Sequence, residues 1–146
     1  MLPMFSRLGI LEAMYLVAII NATAKSITTL ISSYRRTGET FTPIPVIRKD
    51  EYGVILVFFK AGQYIPIHAP KSDLIFYVLE GKAQVGDNEV NIEKGSIMVV
   101  PKGVKRGIIA ETYMEALHIV VPAPSHEDHE KVMEAAVKGI KEVDLD

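Results

Sequence analysis

The chain contains no cysteine and no tryptophan among its 146 residues. Without cysteine it forms no disulfide, offers no thiolate to a metal and has no cysteine nucleophile. Positive charge is not concentrated either, because no run of Lys and Arg exceeds two residues, as at Arg35 and Arg36, and the net charge is −2. A nucleic-acid interface needs a basic stripe, so no nucleic-acid partner is expected.

A hydrophobic stretch long enough to cross a membrane is also missing, so no transmembrane span is expected. The apolar run at residues 8–20 contains Glu12 and is shorter than the roughly 20 residues that a transmembrane helix needs. As a helix this run is apolar on two faces, which predicts a cytoplasmic homodimer formed through it. The alternative is export with residues 1–24 as a signal peptide, since Arg7 precedes the run and Ala22 and Ala24 follow it.

What is present is the pattern of one domain with helices at both ends of a β-rich region. Helices are predicted at residues 7–20 and about 24–34, and the second has a stripe of apolar side chains at helical spacing. Ser125 is positioned to cap a last helix after Pro122 and Pro124. The predicted organisation is a helical extension over residues 1–36 and a single domain over residues 37–146.

Between the helices, apolar residues recur with a period of two in short runs that end at turn residues. The predicted strands are residues 43–49, 54–60, 63–68, 73–80, 82–85, 89–93, 96–100, 104–109 and 113–121. Many short strands without helices between them are typical of an antiparallel sandwich or barrel. The fold class is therefore predicted to be all-β.

Glycine and proline stand at fixed spacings in residues 62–106, and this spacing resembles the cupin superfamily. The first cupin motif is G-x5-H-x-H-x3-E-x6-G and the second is G-x5-P-x-G-x2-H-x3-N. The matching positions are Gly62, His68, Gly81, Gly95, Pro101 and Gly103. The resemblance implies a cupin-like double-stranded β-helix, or jelly-roll, barrel with added N-terminal helices and a C-terminal helix.

The same resemblance implies that most of the usual metal ligands are absent. The positions of the second His, the Glu, the third His and the Asn carry Pro70, Leu74, Arg106 and Ala110. Of the four usual ligands only His68 is present, and a divalent metal normally takes three or four. No cofactor is therefore expected, and if a metal does bind, His68 is the ligand to expect.

Five residues are candidates for ligand binding. Strand alternation places Tyr64 and His68 on one face, which in cupins points into the barrel. Arg106 stands where the second motif has its His, and its planar guanidinium suits carboxylates and phosphates. Asp73 is one position before the usual Glu and reaches the cavity only if a bulge corrects the register. His118 lies in the last predicted strand, in a register that the sequence does not fix.

Three functions remain open from the sequence, and whether the protein is an enzyme is one of the open questions. The first is a metal-free barrel that binds a small anionic molecule, for sensing or for metal-independent isomerase-type chemistry, since both occur among cupins. The second is a metal-dependent cupin enzyme of oxygenase or isomerase type with atypical ligands. The third is a structural or interaction protein with a vestigial cavity. No substrate can be named, because function follows from the site and not from the fold.

Overall fold

The computed structural model describes residues 26–86 and 90–146, so the helix predicted at residues 7–20 lies outside the described residues. The described residues form two helices and nine strands. In chain order these are α1 (Ile27–Tyr34), β1 (Thr42–Arg48), β2 (Gly53–Phe59), β3 (Tyr64–His68), β4 (Asp73–Glu80), β5 (Lys82–Val85), β6 (Val90–Glu93), β7 (Ile97–Val100), β8 (Arg106–Ala110), β9 (Met114–Val121) and α2 (His126–Val137).

The strands form two antiparallel sheets. One has five strands in the order β1-β2-β9-β4-β7, and the other has four in the order β3-β8-β5-β6. Every predicted strand is present, with bounds that differ by at most two residues from those expected. The all-β prediction is therefore confirmed. Within the described part of the chain, no helix is both long and apolar enough to cross a membrane.

Strand β4 illustrates how the sequence pattern builds the core between the sheets. Leu74, Phe76 and Val78 are buried, whereas Asp73 and Ile75 are exposed. Because successive strand side chains point to opposite faces, one face of β4 lies in the core and the other faces outwards. The inward face joins the apolar cluster that the two sheets share.

Helix α1 packs on the outer face of the five-stranded sheet. Ser26 caps it, since its side-chain oxygen accepts a hydrogen bond from the backbone N–H of Thr29. The helix contributes Leu30, Ile31 and Tyr34 to a second apolar cluster with the outward side chains of β1 and β2. The predicted stripe is thus the face that contacts the sheet.

Helix α2 begins as the sequence predicted. The Ser125 side chain accepts a hydrogen bond from the backbone N–H of Asp128 at 3.1 Å, which caps the helix. Val132 and Ala136 then join the apolar cluster between the sheets. The helix packs against β3 and covers one end of the space between the sheets.

Helical spacing in the sequence predicts one apolar stripe for this last helix, and this prediction is wrong at its end. The predicted stripe is Val132, Met133, Ala136, Val137 and Ile140. Val137 is 70% exposed and Ile140 is 45% exposed, while Ala135 is buried in their place. The helix ends at Val137, and Gly139 turns the chain with a φ of 75°. Helical spacing therefore no longer decides which side chains face the core beyond that residue.

Candidate functional site

A cavity of about 430 Å³ lies between the two sheets, next to the start of α2. Most of its wall is apolar and comes from strands of both sheets. The apolar residues include Phe41, Ile55, Val57, Ile65, Leu74, Ile108, Val120 and Val132. Three strands contribute His68, Arg106 and His118 to this wall. Further charged or titratable side chains that line the cavity are Lys71, Glu127, Asp128, His129 and Lys131. The cavity therefore combines a largely apolar wall with charged and titratable side chains from β3, β8, β9 and the start of α2.

His68 reaches the cavity because β3 is irregular. The pairing of β3 with β8 shifts register between Ile65 and His68, and both of these residues line the cavity although they are three positions apart. Strand alternation, which puts Tyr64 on the same face as His68, does not hold here, because a shift of one position turns a strand's side chains over. His68 therefore lines the cavity and Tyr64 does not. Gly107 lies against this irregularity, and a Cβ there would come within 2.6 Å of the Ile67 side chain.

The structure holds Tyr64 outside the cavity. Its hydroxyl donates a hydrogen bond to the carbonyl of Ile140 at 3.2 Å, and the Lys141 ammonium lies 3.5 Å from its ring centroid. Tyr64 is not among the residues that line the cavity. Tyr64 instead connects β3 to the segment that follows α2 through these two contacts.

The ring of His68 is fixed by its own strand. Nδ1 lies 2.7 Å from the carbonyl oxygen of Pro66, and because a carbonyl can only accept, Nδ1 donates. In the neutral ring Nε2 is then the acceptor. Burial lowers the pKa of His68, the positive charge of Arg106 lowers it further, and the Pro66 bond and Asp128 oppose this change.

Arg106 lies directly opposite His68 on β8 and is only 6% exposed. One of its terminal nitrogens, Nη1, donates a hydrogen bond to the carbonyl of Ser72 at 3.3 Å. Within residues 26–86 and 90–146 it forms no salt bridge. Burial lowers the pKa of Arg106 to about 10, against the opposing charge of Asp73. The guanidinium is therefore still positive at neutral pH.

Asp73 does not reach the cavity. Its position at the start of β4 is exposed, and its carboxylate accepts a hydrogen bond from the backbone N–H of Lys102 at 2.7 Å. Asp73 is not among the cavity-lining residues. Its register on β4 is regular up to Val78, so no bulge turns it inwards. It acts on Arg106 only through its charge.

His118 belongs to the cavity because of its register in β9. It lies opposite Phe76 on β4, whose ring is fully buried, and the two rings meet edge to face at 4.6 Å between centroids. The residue as a whole is half-buried, yet its Nε2 atom is buried and has no hydrogen-bond partner in the described part of the chain. Burial lowers the pKa of His118 to about 3, helped by the charges of Arg106 and His68. The ring is therefore neutral at physiological pH.

Sequence reasoning missed the contribution of α2 to the cavity. Ser125, Asp128 and His129 line it, and burial lowers the pKa of His129. His126, one turn earlier, is exposed and lies 2.9 Å from the carboxylate of Glu130. The capping pattern located the start of this helix, but no local signal indicates that the helix folds over the cavity.

The titratable residues at the cavity do not form a metal site in the usual sense. No group of three or more His, Asp or Glu side chains is arranged to hold a metal ion in the stretches that the structure describes. His68 and His118 both line the cavity, but among the described residues no third ligand is arranged with them to hold a metal ion. The donor set therefore does not fit a resident divalent metal.

Solved structures of other proteins are similar to this chain. No protein-family model matches the chain, and no curated protein matches it. Among solved structures, a conserved protein of unknown function from Streptococcus pyogenes is 21% identical with a TM-score of 0.60, over 70% of this chain and 90% of that chain. An RmlC-like cupin from Desulfovibrio desulfuricans is 29% identical with a TM-score of 0.57, over 67% of this chain and 96% of that chain. A protein from Thermus thermophilus is 28% identical with a TM-score of 0.57, over 68% of this chain and 97% of that chain.

Proposed function

Because this chain has the cupin fold, we propose that it is a small-molecule-binding cupin whose cavity takes an anionic ligand at Arg106. The observation that carries the proposal is the state of the Arg106 guanidinium. It is buried, positively charged at neutral pH, beside a cavity and without a salt bridge to any described carboxylate.

A buried charge without a partner is costly, because it has lost hydration and gained no ion pair in return. Guanidinium has five N–H donors, and the carbonyl of Ser72 accounts for one of them. A carboxylate or phosphate in the cavity would supply both the opposite charge and the missing acceptors. Binding an anion would thus offset the cost of keeping Arg106 where it is.

The two histidines support this assignment by staying neutral. Burial and the Arg106 charge lower the pKa of both His68 and His118, so neither adds a second positive charge at neutral pH. Because Nδ1 of His68 donates to the Pro66 carbonyl, its neutral ring offers a ligand only the Nε2 acceptor, which suits a hydroxyl or amide group. Arg106 is therefore the residue of this cluster that supplies charge and donors to a single anionic head group.

The rest of the wall favours a ligand with an apolar body. Phe41, Leu74 and Ile108 are among the apolar side chains that line the cavity. A polyhydroxylated ligand would leave its hydroxyl groups unpaired against such a wall, at a cost for each group. The volume of about 430 Å³ is within the range of sites for small molecules. We therefore favour a carboxylate with an apolar body over a sugar phosphate.

Ligand-induced stabilisation tests the proposal. Carboxylates of increasing apolar size and sugar phosphates would be screened by thermal shift and confirmed by calorimetry, because binding to the native state alone raises stability. Hits should disappear in Arg106→Met. They should persist in Lys105→Met, which removes the same charge from the neighbouring exposed residue that pairs with Glu142. Hits that persist in Arg106→Met would overturn the proposal, and a cavity without any ligand would favour the structural alternative.

Binding could serve sensing or a metal-independent isomerase-type reaction. His68 is the group to examine for chemistry, because its Nδ1 is engaged and its Nε2 is the free acceptor of the neutral ring. Conversion of a bound ligand by the wild type but not by His68→Gln, with unchanged binding, would identify an enzyme. Equal binding without conversion would identify a sensor or carrier.

A metal-dependent enzyme is the alternative, with His68, His118 and a carboxylate as ligands. Elemental analysis of untagged protein decides between the two. We expect no stoichiometric divalent metal, because no three ligands are brought together in the described part of the chain and Arg106 repels a cation. About one Fe, Mn, Ni or Zn per chain would contradict this. Arg106→His alone should not create tight binding, since too few ligands would still be present.

We also propose a cytoplasmic homodimer that forms through residues 8–20. This rests on the two apolar faces predicted for that run, which lies outside the described residues. Light scattering of the intact chain in detergent-free buffer should give the mass of a dimer, and deletion of residues 1–22 should give a monomer or an aggregating protein. A monomeric intact chain would contradict the proposal.

A further inference from the structure

The outer face of the five-stranded sheet carries apolar side chains that no described residue covers. Four of them form what we call the outer patch, Ile75, Ile97, Val99 and Val121. They are 39%, 65%, 65% and 43% exposed, respectively. Soluble proteins rarely leave several large apolar side chains exposed next to one another, and such a patch marks a contact surface.

The strand register shows that the patch is continuous. Ile75 on β4 lies opposite Val99 on β7 and opposite Ile119 on β9. In the next row Tyr77 lies opposite Ile97 and Leu117. Residues that are directly opposite on neighbouring strands share a face and contact each other. Val121 lies two residues beyond Ile119 on the same face of β9, opposite Asp73. Together with Val121 the two rows form one surface that ends at the edge strand β7.

The same surface continues under α1. Leu117 packs against the cluster that includes Leu56 on β2 and Ile31 on α1. The eight residues of α1 make a helix of about 12 Å. Five strands about 4.8 Å apart make a sheet about 20 Å wide. One short helix therefore covers the β1, β2 and β9 side together with Leu79 near the end of β4, and it leaves β7 and the part of β4 around Ile75 open.

We propose that residues 8–20 of the same chain pack on the outer patch and complete the cover that α1 begins. Three observations on the chain support this occupant. The segment is apolar except for Glu12. It ends six residues before Ser26, the residue that caps α1 on this same face. A linker of that length reaches up to about 20 Å, which is the width of the sheet.

This placement leaves the second apolar face of the segment for a partner subunit, so it is compatible with the homodimer proposed above but does not depend on it. It is also independent of the ligand cavity, because the patch and the cavity are on opposite faces of the sheet. A second copy of the chain seated directly on the patch is the rival occupant, and the experiment separates the two.

The absence of cysteine makes thiol labelling a direct test, since one introduced cysteine is then the only reactive thiol. Val99→Cys reports on the patch. Val137→Cys is the control, because Val137 is 70% exposed on α2 and lies outside the patch. In the intact chain, Val99→Cys should react with a thiol reagent at least tenfold more slowly than Val137→Cys. Deletion of residues 1–22 should raise the Val99→Cys rate to that of the control and leave the control unchanged.

Two outcomes would overturn the proposal. Equal rates for the two cysteines in the intact chain would show that nothing covers the patch. Protection of Val99→Cys that survives the deletion, or that decreases on dilution, would assign the patch to a second copy. Should the deleted chain fail to fold, the pair Leu11→Asp and Val17→Asp in the intact chain places one charge on each apolar face of the segment. This double substitution should raise the rate at which the Val99→Cys thiol reacts, and an unchanged rate would contradict the proposal.

Discussion

His68 and Arg106 lie directly opposite each other on β3 and β8, and both side chains line the cavity. The arginine is the charged member of the pair. Its charge helps to lower the pKa of His68, which burial alone already lowers. The pair therefore consists of a fixed cation and a neutral imidazole, an arrangement that favours an anion over a metal ion.

The first prediction concerns the stability cost of Arg106. Replacing it with methionine removes a buried charge that has no described salt-bridge partner and keeps an unbranched side chain of similar length. Arg106→Met should therefore raise the free energy of unfolding by about 1–2 kcal/mol in ligand-free protein, at the expense of anion binding. Urea denaturation measures the change. A loss of stability of similar size would mean that Arg106 already has a compensating partner.

The second prediction concerns the decrease of the free energy of unfolding at acidic pH. The pKa of His118 falls to about 3 in the folded protein, and the pKa values of His68 and His129 are also lowered by burial. An unfolded histidine binds a proton near pH 6.5 and these folded ones bind it only at lower pH, so the unfolded state takes up more protons below pH 6.5. As far as these histidines are concerned, the free energy of unfolding is therefore highest above pH 6.5 and decreases as the pH falls below it.

For His118 alone the loss reaches at most about 1.4 kcal/mol for each pH unit below 6.5. Urea denaturation between pH 7.5 and 5 measures it, in a range above that in which the carboxylates titrate. His118→Gln should make the dependence on pH shallower by up to one proton. A slope that His118→Gln leaves unchanged would show that this ring titrates normally in the folded state.

The third prediction concerns Glu115, which holds the end of α1 to the sheet. Its buried carboxylate accepts hydrogen bonds from Arg35, which follows α1, and from the Tyr113 hydroxyl at 2.7 Å. Burial by itself would raise the pKa of Glu115, but these bonds outweigh it, so the pKa is lowered. The carboxylate is therefore charged in the folded protein.

Glu115→Gln should lower the free energy of unfolding by about 1–3 kcal/mol, because an amide N–H₂ then faces the donors of Arg35 and Tyr113. Hydrogen exchange of the α1 amides should become faster in this variant. Tyr113→Phe is the milder control, since Tyr113 is 41% exposed and its removal keeps the contact between Glu115 and Arg35. Equal stability of Glu115→Gln and the wild type would contradict this role.

The fourth prediction compares two glycines with the same backbone conformation. Gly62 has a φ of 87° and Gly81 a φ of 86°, which any side chain disfavours. A Cβ at Gly62 would meet nothing within 4 Å, whereas one at Gly81 would lie 2.1 Å from the backbone oxygen of Tyr113. Gly62→Ala should cost about 1–2 kcal/mol from conformation alone.

Gly81→Ala should cost more than about 4 kcal/mol or prevent folding, because the chain at Tyr113 must move as well. Thermal and urea unfolding of both variants provide the comparison. Similar losses in the two variants would show that the contact at Gly81 relaxes easily.

The strands, turns and helix caps of this protein can be predicted from local signals in its sequence. Alternation of apolar and polar residues, glycines such as Gly81 at turns, and Ser125 before the last helix are local signals, because each depends on the conformation of only a few neighbouring residues. These signals placed all nine strands and both described helix starts close to their positions in the structure. Motif spacing further indicated the cupin fold and singled out His68 and Arg106.

Which side chains contact each other depends on the packing of the whole domain. The register of a strand determines which of its side chains face the cavity. The shift of one position between Ile65 and His68 takes Tyr64 off the cavity face. The position of His118 opposite Phe76 and the contact of Arg35 with Glu115 join residues far apart in the chain. Such contacts depend on how sheets and helices pack over the whole domain, and no window of the sequence contains that information.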